Sequence, residues 1–154
     1  MIDFTSISPL DWKGLLVAII CGLIIGAERH WSAKPAGIRT CILICLSACI
    51  FVTLGQEYFP GQGTVRIIGQ IVTGVGFLGA GVIIAKEGLV HGVTTAAVIW
   101  VLAAIGCLAG LGKYFPALLI AILTVGILTG MTFVEKLFWK LKKGVHRDDD
   151  IDGG

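Results

Sequence analysis

The chain has 154 residues, of which 56% are hydrophobic and only 14% are charged, and its formal net charge is +2. A soluble domain carries about 25% charged residues, so this composition excludes an ordinary water-soluble fold. The small net charge predicts no nucleic-acid partner, because such partners require a strongly basic surface.

Five apolar segments follow one another along the chain and are separated by short loops. They span residues 10–27, 38–54, 65–85, 93–111 and 114–133. Each approaches or exceeds the about 18 to 20 apolar residues that cross a bilayer as a helix. Because lipid offers no hydrogen-bond partners, each segment must satisfy its own backbone groups. The sequence therefore predicts an all-α polytopic membrane bundle of about five transmembrane helices.

The first apolar segment does not have the flanks of a cleaved signal peptide. Asp3 and Asp11 precede its apolar part together with only one cation, Lys13. A secretory signal begins with a basic region and ends at a cleavage site made of small residues. We expect this segment to remain in the mature protein as its first membrane helix.

Basic residues are distributed unevenly between the two sides of such a bundle. One side receives nine of them, namely Arg29, Lys34, Arg39, Lys86, Lys136, Lys140, Lys142, Lys143 and Arg147, and the other receives Lys13, Arg66 and Lys113. Lys and Arg accumulate in cytoplasmic loops. The predicted topology has the N-terminus outside and the C-terminus in the cytoplasm.

Cysteine recurs at every fourth position of the second segment, at Cys41, Cys45 and Cys49. This spacing places the three thiols on one helix face, where a soft metal ion is conceivable. A straight helix with this spacing does not close a tetrahedral metal site by itself. We interpret the cysteines as small, polarisable residues that let another helix approach, and we predict no metal site and no cofactor.

Glycine is concentrated inside the segments, where a helix ordinarily avoids it. Pairs separated by four residues permit close helix crossing, either within one subunit or between two subunits. The alternative is a site where backbone lines a cavity or bends. The predicted packing glycines are Gly22, Gly26, Gly74, Gly76, Gly79, Gly81, Gly106 and Gly110.

Polar residues near the segment ends are the candidate binding or gating residues. Arg66 and Gln70 lie on one face of the third segment, beginning at its predicted outer boundary. The Arg66 side chain could extend to the interface and then needs no protein partner. Gln70 lies one turn deeper and requires one. The second group lies at the predicted cytoplasmic ends and comprises Glu28, Arg29, Arg39, Thr40, His91, Thr94 and Thr95.

We expect the loops that carry this second group to converge on one inner vestibule. Thr94 is the expected N-cap of the fourth helix, because its hydroxyl can accept a backbone hydrogen bond there. Structural roles in loops and caps are the alternative to a ligand site. No nucleophile and base pattern, phosphate loop or metal-protease motif is present, so we predict that the protein is not an enzyme.

The chain divides into a transmembrane domain, residues 1–133, and a tail, residues 134–154. Apolar residues of the tail share one helical face, and lysines occupy the other side. This pattern predicts a basic amphipathic helix at the inner leaflet. The acidic residues that follow it are expected to be disordered.

Four blocks of the sequence, residues 22–29, 34–40, 66–83 and 90–97, followed by Trp100, resemble the signature blocks of the MgtC/SapB membrane family. The resemblance implies a multi-pass protein of the bacterial inner membrane, linked to magnesium homeostasis, stress response and, in pathogens, virulence. Thr94 and Val101 stand where some virulence-linked members have Asn and Cys. Longer relatives carry a C-terminal ACT-like domain, which we do not expect in this short form.

The resemblance also implies the expected function, a regulator acting under magnesium limitation or acid stress by binding another membrane protein. The membrane sector of F-type ATP synthase is the partner that the family implies. The alternative is a small homo-oligomeric transporter or channel for an ion or small solute. No Asp or Glu lies in the middle of any segment, so a carboxylate-lined magnesium path is not predicted. In either case we expect the lipid bilayer as partner and a homodimer or higher homo-oligomer.

Overall fold

The computed structural model describes residues 10–86 and 89–148, and it describes side chains as far as residue 131 except that of residue 86. Its helices are α1 (Trp12–Trp31), α2 (Ile38–Tyr58), α3 (Gln62–Gly81), α4 (Val93–Gly110) and α5 (Tyr114–Asp148). A short antiparallel pair, β1 (Ile84–Lys86) and β2 (Leu89–His91), joins α3 to α4. All five described helices are long and apolar enough to cross a membrane, which confirms the predicted membrane bundle.

Helices α1, α2 and α4 form the centre of the bundle. Each packs against the other two, and α2 packs extensively against both α1 and α4. Much of their shared core is made of small side chains, including Ala18, Cys21, Cys45 and Ala109, all of which are buried. Small side chains let helix backbones approach closely, which is the main source of helix association in lipid.

Two glycine pairs lie where these central helices cross. A methyl group built on Gly22 or Gly26 of α1 would lie 2.6 Å from the Cα atom of Ile42 or Ile38, respectively. On α4, a methyl group on Gly106 would lie 2.3 Å from the Cys45 carbonyl oxygen. Any side chain at these positions would therefore force the helix backbones apart.

Helices α3 and α5 lie at the outside of the bundle. Helix α3 contacts α4 and α2, and α5 contacts α1 and α4. Both present large apolar side chains outward, among them Phe77 of α3, which is 81% exposed, and Ile127 of α5. In a membrane these surfaces face lipid or another protein.

The end of the third helix differs from the sequence prediction. The apolar pattern continues to Ala85, but α3 ends at Gly81 and the chain turns into β1. The predicted N-cap of α4 was also wrong, because Gly92 occupies that position, with φ of 90° and no side-chain cap hydrogen bond. A methyl group on Gly92 would lie 2.0 Å from the Val82 carbonyl oxygen, so only glycine fits this joint.

Helix α5 does not stop at the predicted membrane boundary near residue 133, since it continues to Asp148 as one helix. The two faces predicted for the amphipathic tail depend on side chains outside the described residues. The disorder predicted from Arg147 onward is wrong for residues 147 and 148, which are the last two residues of α5, and its remainder, residues 149–154, lies outside the described residues. At the opposite end of the helix, Tyr114 donates a hydrogen bond to Asp11, which ties α5 to the start of α1. This bond holds the pKa of Asp11 below its usual range.

Candidate functional site

A cavity of about 690 Å³ opens at the end of the bundle where α1 ends and α4 begins. We call it the loop cavity. One wall comes from the end of α1 and the loop after it, the second from β2 and the first turn of α4, and the third from α5. Its described lining consists of Arg29, Ala33, Lys34, Pro35, Val90, His91, Gly92, Val93, Thr94, Thr95, Ile127, Leu128 and Met131.

Arg29 is the most deeply buried charged residue of this cavity, with an exposed fraction of 3%. Its Nε donates to the carboxylate of Glu28, and Ser32 Oγ donates to the other carboxylate oxygen at 2.8 Å. Arg29 Nη1 is buried and has no hydrogen-bond partner within the described residues. Glu28 therefore compensates the charge of Arg29, while Nη1 of Arg29 has no hydrogen-bond acceptor within the described residues.

The turn between α1 and α2 is strained at the wall of the cavity. Ala33 has a positive φ of 51°, a conformation that costs an L-residue roughly 1 to 2 kcal/mol. Two backbone hydrogen bonds hold it, from Ala33 N to His30 O at 3.1 Å and from Lys34 N to Arg29 O at 3.0 Å. This turn places Lys34 at the cavity beside Arg29.

The structure gathers four of the predicted inner residues around this cavity, namely Arg29, His91, Thr94 and Thr95. Arg39 and Thr40 begin α2, are exposed, and do not line it. Glu28 and Arg39, which the transporter alternative pairs as an inner gate, do not bind each other, because Glu28 is bound by Arg29 and Ser32. The contribution of α5 was missed, since its residues in the described lining, Ile127, Leu128 and Met131, are apolar.

The predicted outer residues lie elsewhere, on α3. Arg66 is exposed near the start of the helix, and Gln70 lines a groove of about 450 Å³ between α2 and α3. We call this the α2–α3 groove. Its described lining is Ile44, Ser47, Ala48, Phe51, Ile67, Gln70, Ile71, Gly74, Val75 and Leu78. The Gln70 side chain forms no hydrogen bond in the part of the chain that the structure describes.

The four candidate glycines of α3 differ in their surroundings. A methyl group on Gly79 would meet Ala96 of α4 at 3.6 Å, and one on Gly76 would meet Trp100 at 3.9 Å. Methyl groups on Gly74 and Gly81 would meet nothing within 4 Å. The inner face of α3 therefore packs on α4, whereas Gly74 and Gly81 have open space beside them in the described part of the chain.

The three cysteines of α2 face the core of the bundle. Cys45 Sγ donates to the Leu102 carbonyl oxygen at 3.2 Å, and Cys41 Sγ donates to the Ala36 carbonyl oxygen at 3.7 Å. Cys49 is buried and forms no disulfide. No group of three His, Cys, Asp or Glu able to hold a metal ion occurs among the described residues.

Comparison with known proteins gives the family. The sequence model of the MgtC family matches residues 15–137, which include both the loop cavity and the α2–α3 groove. The chain belongs to the MgtC family. As a member with five apolar helices, it is a multi-pass protein of the inner membrane.

Three relatives have 36% to 45% identity to this MgtC-family chain. "Protein MgtC" of Salmonella typhimurium is 45% identical over 104 residues, which are 68% of this chain and 45% of the relative. "Putative magnesium transporter YhiD" of Escherichia coli is 38% identical over 140 residues, 86% of this chain and 64% of the relative. An uncharacterized protein of Haemophilus influenzae is 36% identical over 143 residues, 86% of this chain and 57% of the relative.

The chain therefore spans about half to two thirds of the length of these relatives. No solved structure matches it.

Proposed function

We propose that this MgtC-family protein is a regulator that acts by binding another membrane protein. The observation that carries the proposal is the α2–α3 groove, where Gln70 and Gly74 stand one helical turn apart on an exposed face in the middle of α3. Ser47 faces them from the middle of α2. This part of the surface lies at membrane depth, where an exposed polar group is unusual.

Gln70 supplies the energetic argument. Its amide carries donors and an acceptor that find no partner in the described part of the chain. Lipid cannot satisfy these atoms, so leaving them exposed at membrane depth is costly. A transmembrane helix of a partner can supply the missing hydrogen bonds, and such interhelical bonds contribute about 0.6 kcal/mol each on average.

The shape of the groove supports the same occupant. Gly74 has no atom within 4 Å of an added methyl group, so a second helix backbone can approach α3 closely there. Phe51 and Leu78 are exposed and form apolar edges on either side. A polar centre with a glycine beside it and apolar edges is the arrangement by which membrane helices recognise one another.

The partner that the family resemblance implies is the membrane sector of F-type ATP synthase. The regulated condition is magnesium limitation or acid stress, in keeping with the magnesium transporter name of the Escherichia coli relative. We further propose that the protein forms a homodimer or higher homo-oligomer, for which the free glycine at position 81 of α3 offers a second small-residue contact.

The test is a cross-linking pull-down from native membranes, with mass spectrometry of the captured proteins. Gly74→Leu fills the groove and should lower partner recovery about tenfold, a loss that corresponds to about 1.4 kcal/mol. Gln70→Leu should lower it about threefold, since it removes only one interhelical hydrogen bond. Ala80→Leu is the matched control, because Ala80 is exposed on α3 outside the groove. Equal recovery from Gly74→Leu and Ala80→Leu would exclude the groove as the binding surface.

The alternative function is transport of an ion or small solute by a homo-oligomer, and the name of the Escherichia coli relative favours it. Arg66 and Gln70 on exposed faces of α3 could then line a path between subunits. Magnesium flux into liposomes that contain only the purified protein would establish this alternative. Absence of flux together with specific partner capture would establish the regulator.

A further inference from the structure

The loop cavity has a one-sided charge. Arg29, Lys34 and His91 line it, and none of its described lining residues is acidic. Within the described residues, the carboxylate beside Arg29 is that of Glu28, and it is already bound by Arg29 Nε and Ser32 Oγ. Lys34, beside this ion pair, has no acidic partner within the described residues, and an uncompensated positive charge at a concave space attracts an anion.

Arg29 gives the cavity an unmet hydrogen-bonding requirement. Its side chain is 3% exposed, and its Nη1 has no acceptor within the described residues. A buried donor without a partner costs about 1 to 3 kcal/mol, and a charged donor costs more. An anion whose oxygen reaches Nη1 would supply the acceptor that the described residues lack.

The first turn of α4 contributes donors of a second kind. Gly92 caps the helix without a side chain, and the first intrahelical bond runs from Ala96 N to Gly92 O at 2.8 Å. The backbone N–H groups of residues 93–95 therefore have no acceptor within the helix. A helix N-terminus with free N–H groups favours phosphate and similar anions.

The third wall of the loop cavity, which α5 forms, is apolar. Ile127, Leu128 and Met131 of α5 give the cavity an apolar side next to its basic side. The cavity volume of about 690 Å³ also exceeds that of a single phosphate ion, so a larger molecule that carries a phosphate group can fit. The lining therefore fits an anionic group carried on a partly apolar molecule.

We propose that the loop cavity binds a phosphate group, held by Arg29, Lys34 and the N-terminal turn of α4. The carrier is either the headgroup of an anionic phospholipid or a soluble phosphate compound. Bound phosphate joins the loop after α1 to the start of α4, two segments that are far apart in sequence. This site lies apart from the α2–α3 groove, so it does not depend on partner binding there.

Two arms of one experiment separate the two sources. In the first, thermal unfolding of the full chain in a neutral detergent is followed with increasing inorganic phosphate, against sodium chloride of the same ionic strength. In the second, the protein is placed in nanodiscs of phosphatidylcholine with or without phosphatidylglycerol. We expect the unfolding temperature to rise by about 3 °C in at least one arm. A rise with phosphatidylglycerol alone identifies a headgroup, and a rise with inorganic phosphate alone identifies a soluble ligand.

Substitutions tie the shift to the cavity. Lys34→Gln should lower the affinity for the phosphate group about tenfold, and so reduce the rise in unfolding temperature, because it removes one charge-assisted hydrogen bond. Lys113→Gln is the matched control, since Lys113 is an exposed lysine in the loop between α4 and α5 and does not line the cavity. Arg29→Gln should abolish the response. If that variant does not fold, the comparison of the two lysine variants decides.

Two results would overturn the proposal. One is an unchanged unfolding temperature of the unsubstituted protein in both arms. The other is an equal rise in Lys34→Gln and Lys113→Gln, which would mean that phosphate or phosphatidylglycerol acts on the protein surface in general.

Discussion

Single glycines decide how closely the central helices approach. Gly106→Ala places a methyl group 2.3 Å from the Cys45 carbonyl oxygen and 2.7 Å from the Ala48 side chain. We expect this change to lower the free energy of unfolding by about 1 to 3 kcal/mol, because neither contact can be relieved without separating α2 from α4. Chemical unfolding in detergent measures this quantity.

Gly126→Ala provides the control for this prediction. Gly126 also lies within a membrane helix, but a methyl group there meets nothing within 4 Å. Its replacement should leave stability unchanged or slightly raised, since alanine is the better helix former. Equal losses in both variants would mean that glycine acts through helix flexibility and not through close packing.

At the residue scale the sequence predicted small residues correctly but could not assign them to neighbours. Gly106 and Gly74 carry the same signal, a glycine inside an apolar segment. Gly106 lies against a backbone carbonyl, whereas a methyl group on Gly74 would meet no described atom within 4 Å. The difference depends on which helix faces each residue, and that follows from crossing angles that spacing does not encode.

At the scale of elements, the joint between the β-hairpin and α4 depends on Gly92. Gly92→Ala forces an L-residue to a φ of 90° and also places a methyl group 2.0 Å from the Val82 carbonyl oxygen. We expect it to destabilise the protein by more than the roughly 1 to 2 kcal/mol that a left-handed residue costs by itself. Thermal unfolding in detergent reports the loss.

Gly61→Ala separates these two effects. Gly61 precedes α3 with a φ of 73°, but a methyl group there meets nothing within 4 Å. This variant should show only the backbone cost, so the difference between the two alanine variants measures the clash. If they lose the same stability, the contact with Val82 is unimportant.

The hairpin itself could not be predicted from the pattern. Residues 82–85 are apolar, and a short apolar run reads equally well as the last turn of a membrane helix or as a buried strand. Gly81 precedes this run and Gly92 follows it, and both are compatible with a change of direction. The three central helices were predicted within a few residues, because their apolar segments are bounded by polar or aromatic residues.

At the scale of the whole molecule, the charge distribution predicts which loops face the cytoplasm. Glu57→Cys, at the end of α2, should react with a membrane-impermeant maleimide in intact cells. Lys34→Cys, in the loop after α1, should react only after permeabilisation. The five native cysteines are buried, so their background labelling should be low. The reverse labelling pattern would invert the topology.

Successive membrane helices run in opposite directions, and this made part of the candidate site predictable. Residues that end α1 must lie at the same end of the bundle as those that begin α4, so Arg29 and His91 could be grouped before their distance was known. Arg39 lies at this end as well, but helix rotation turns it outward. The rotation of each helix and the position of α5 depend on how the helices pack. The spacing of the polar residues along the sequence does not reveal either.

The continuation of α5 beyond its membrane segment has a mechanical consequence. At 1.5 Å per residue, the part from residue 134 to residue 148 extends the helix by about 22 Å past the predicted membrane boundary near residue 133. A helix is stiff over this length, so it behaves as a lever whose other arm, the membrane segment, packs against α1 and α4. A tilt of a few degrees within the bundle would swing the distal end sideways by an ångström or more, which makes that end a sensitive position for a spectroscopic label.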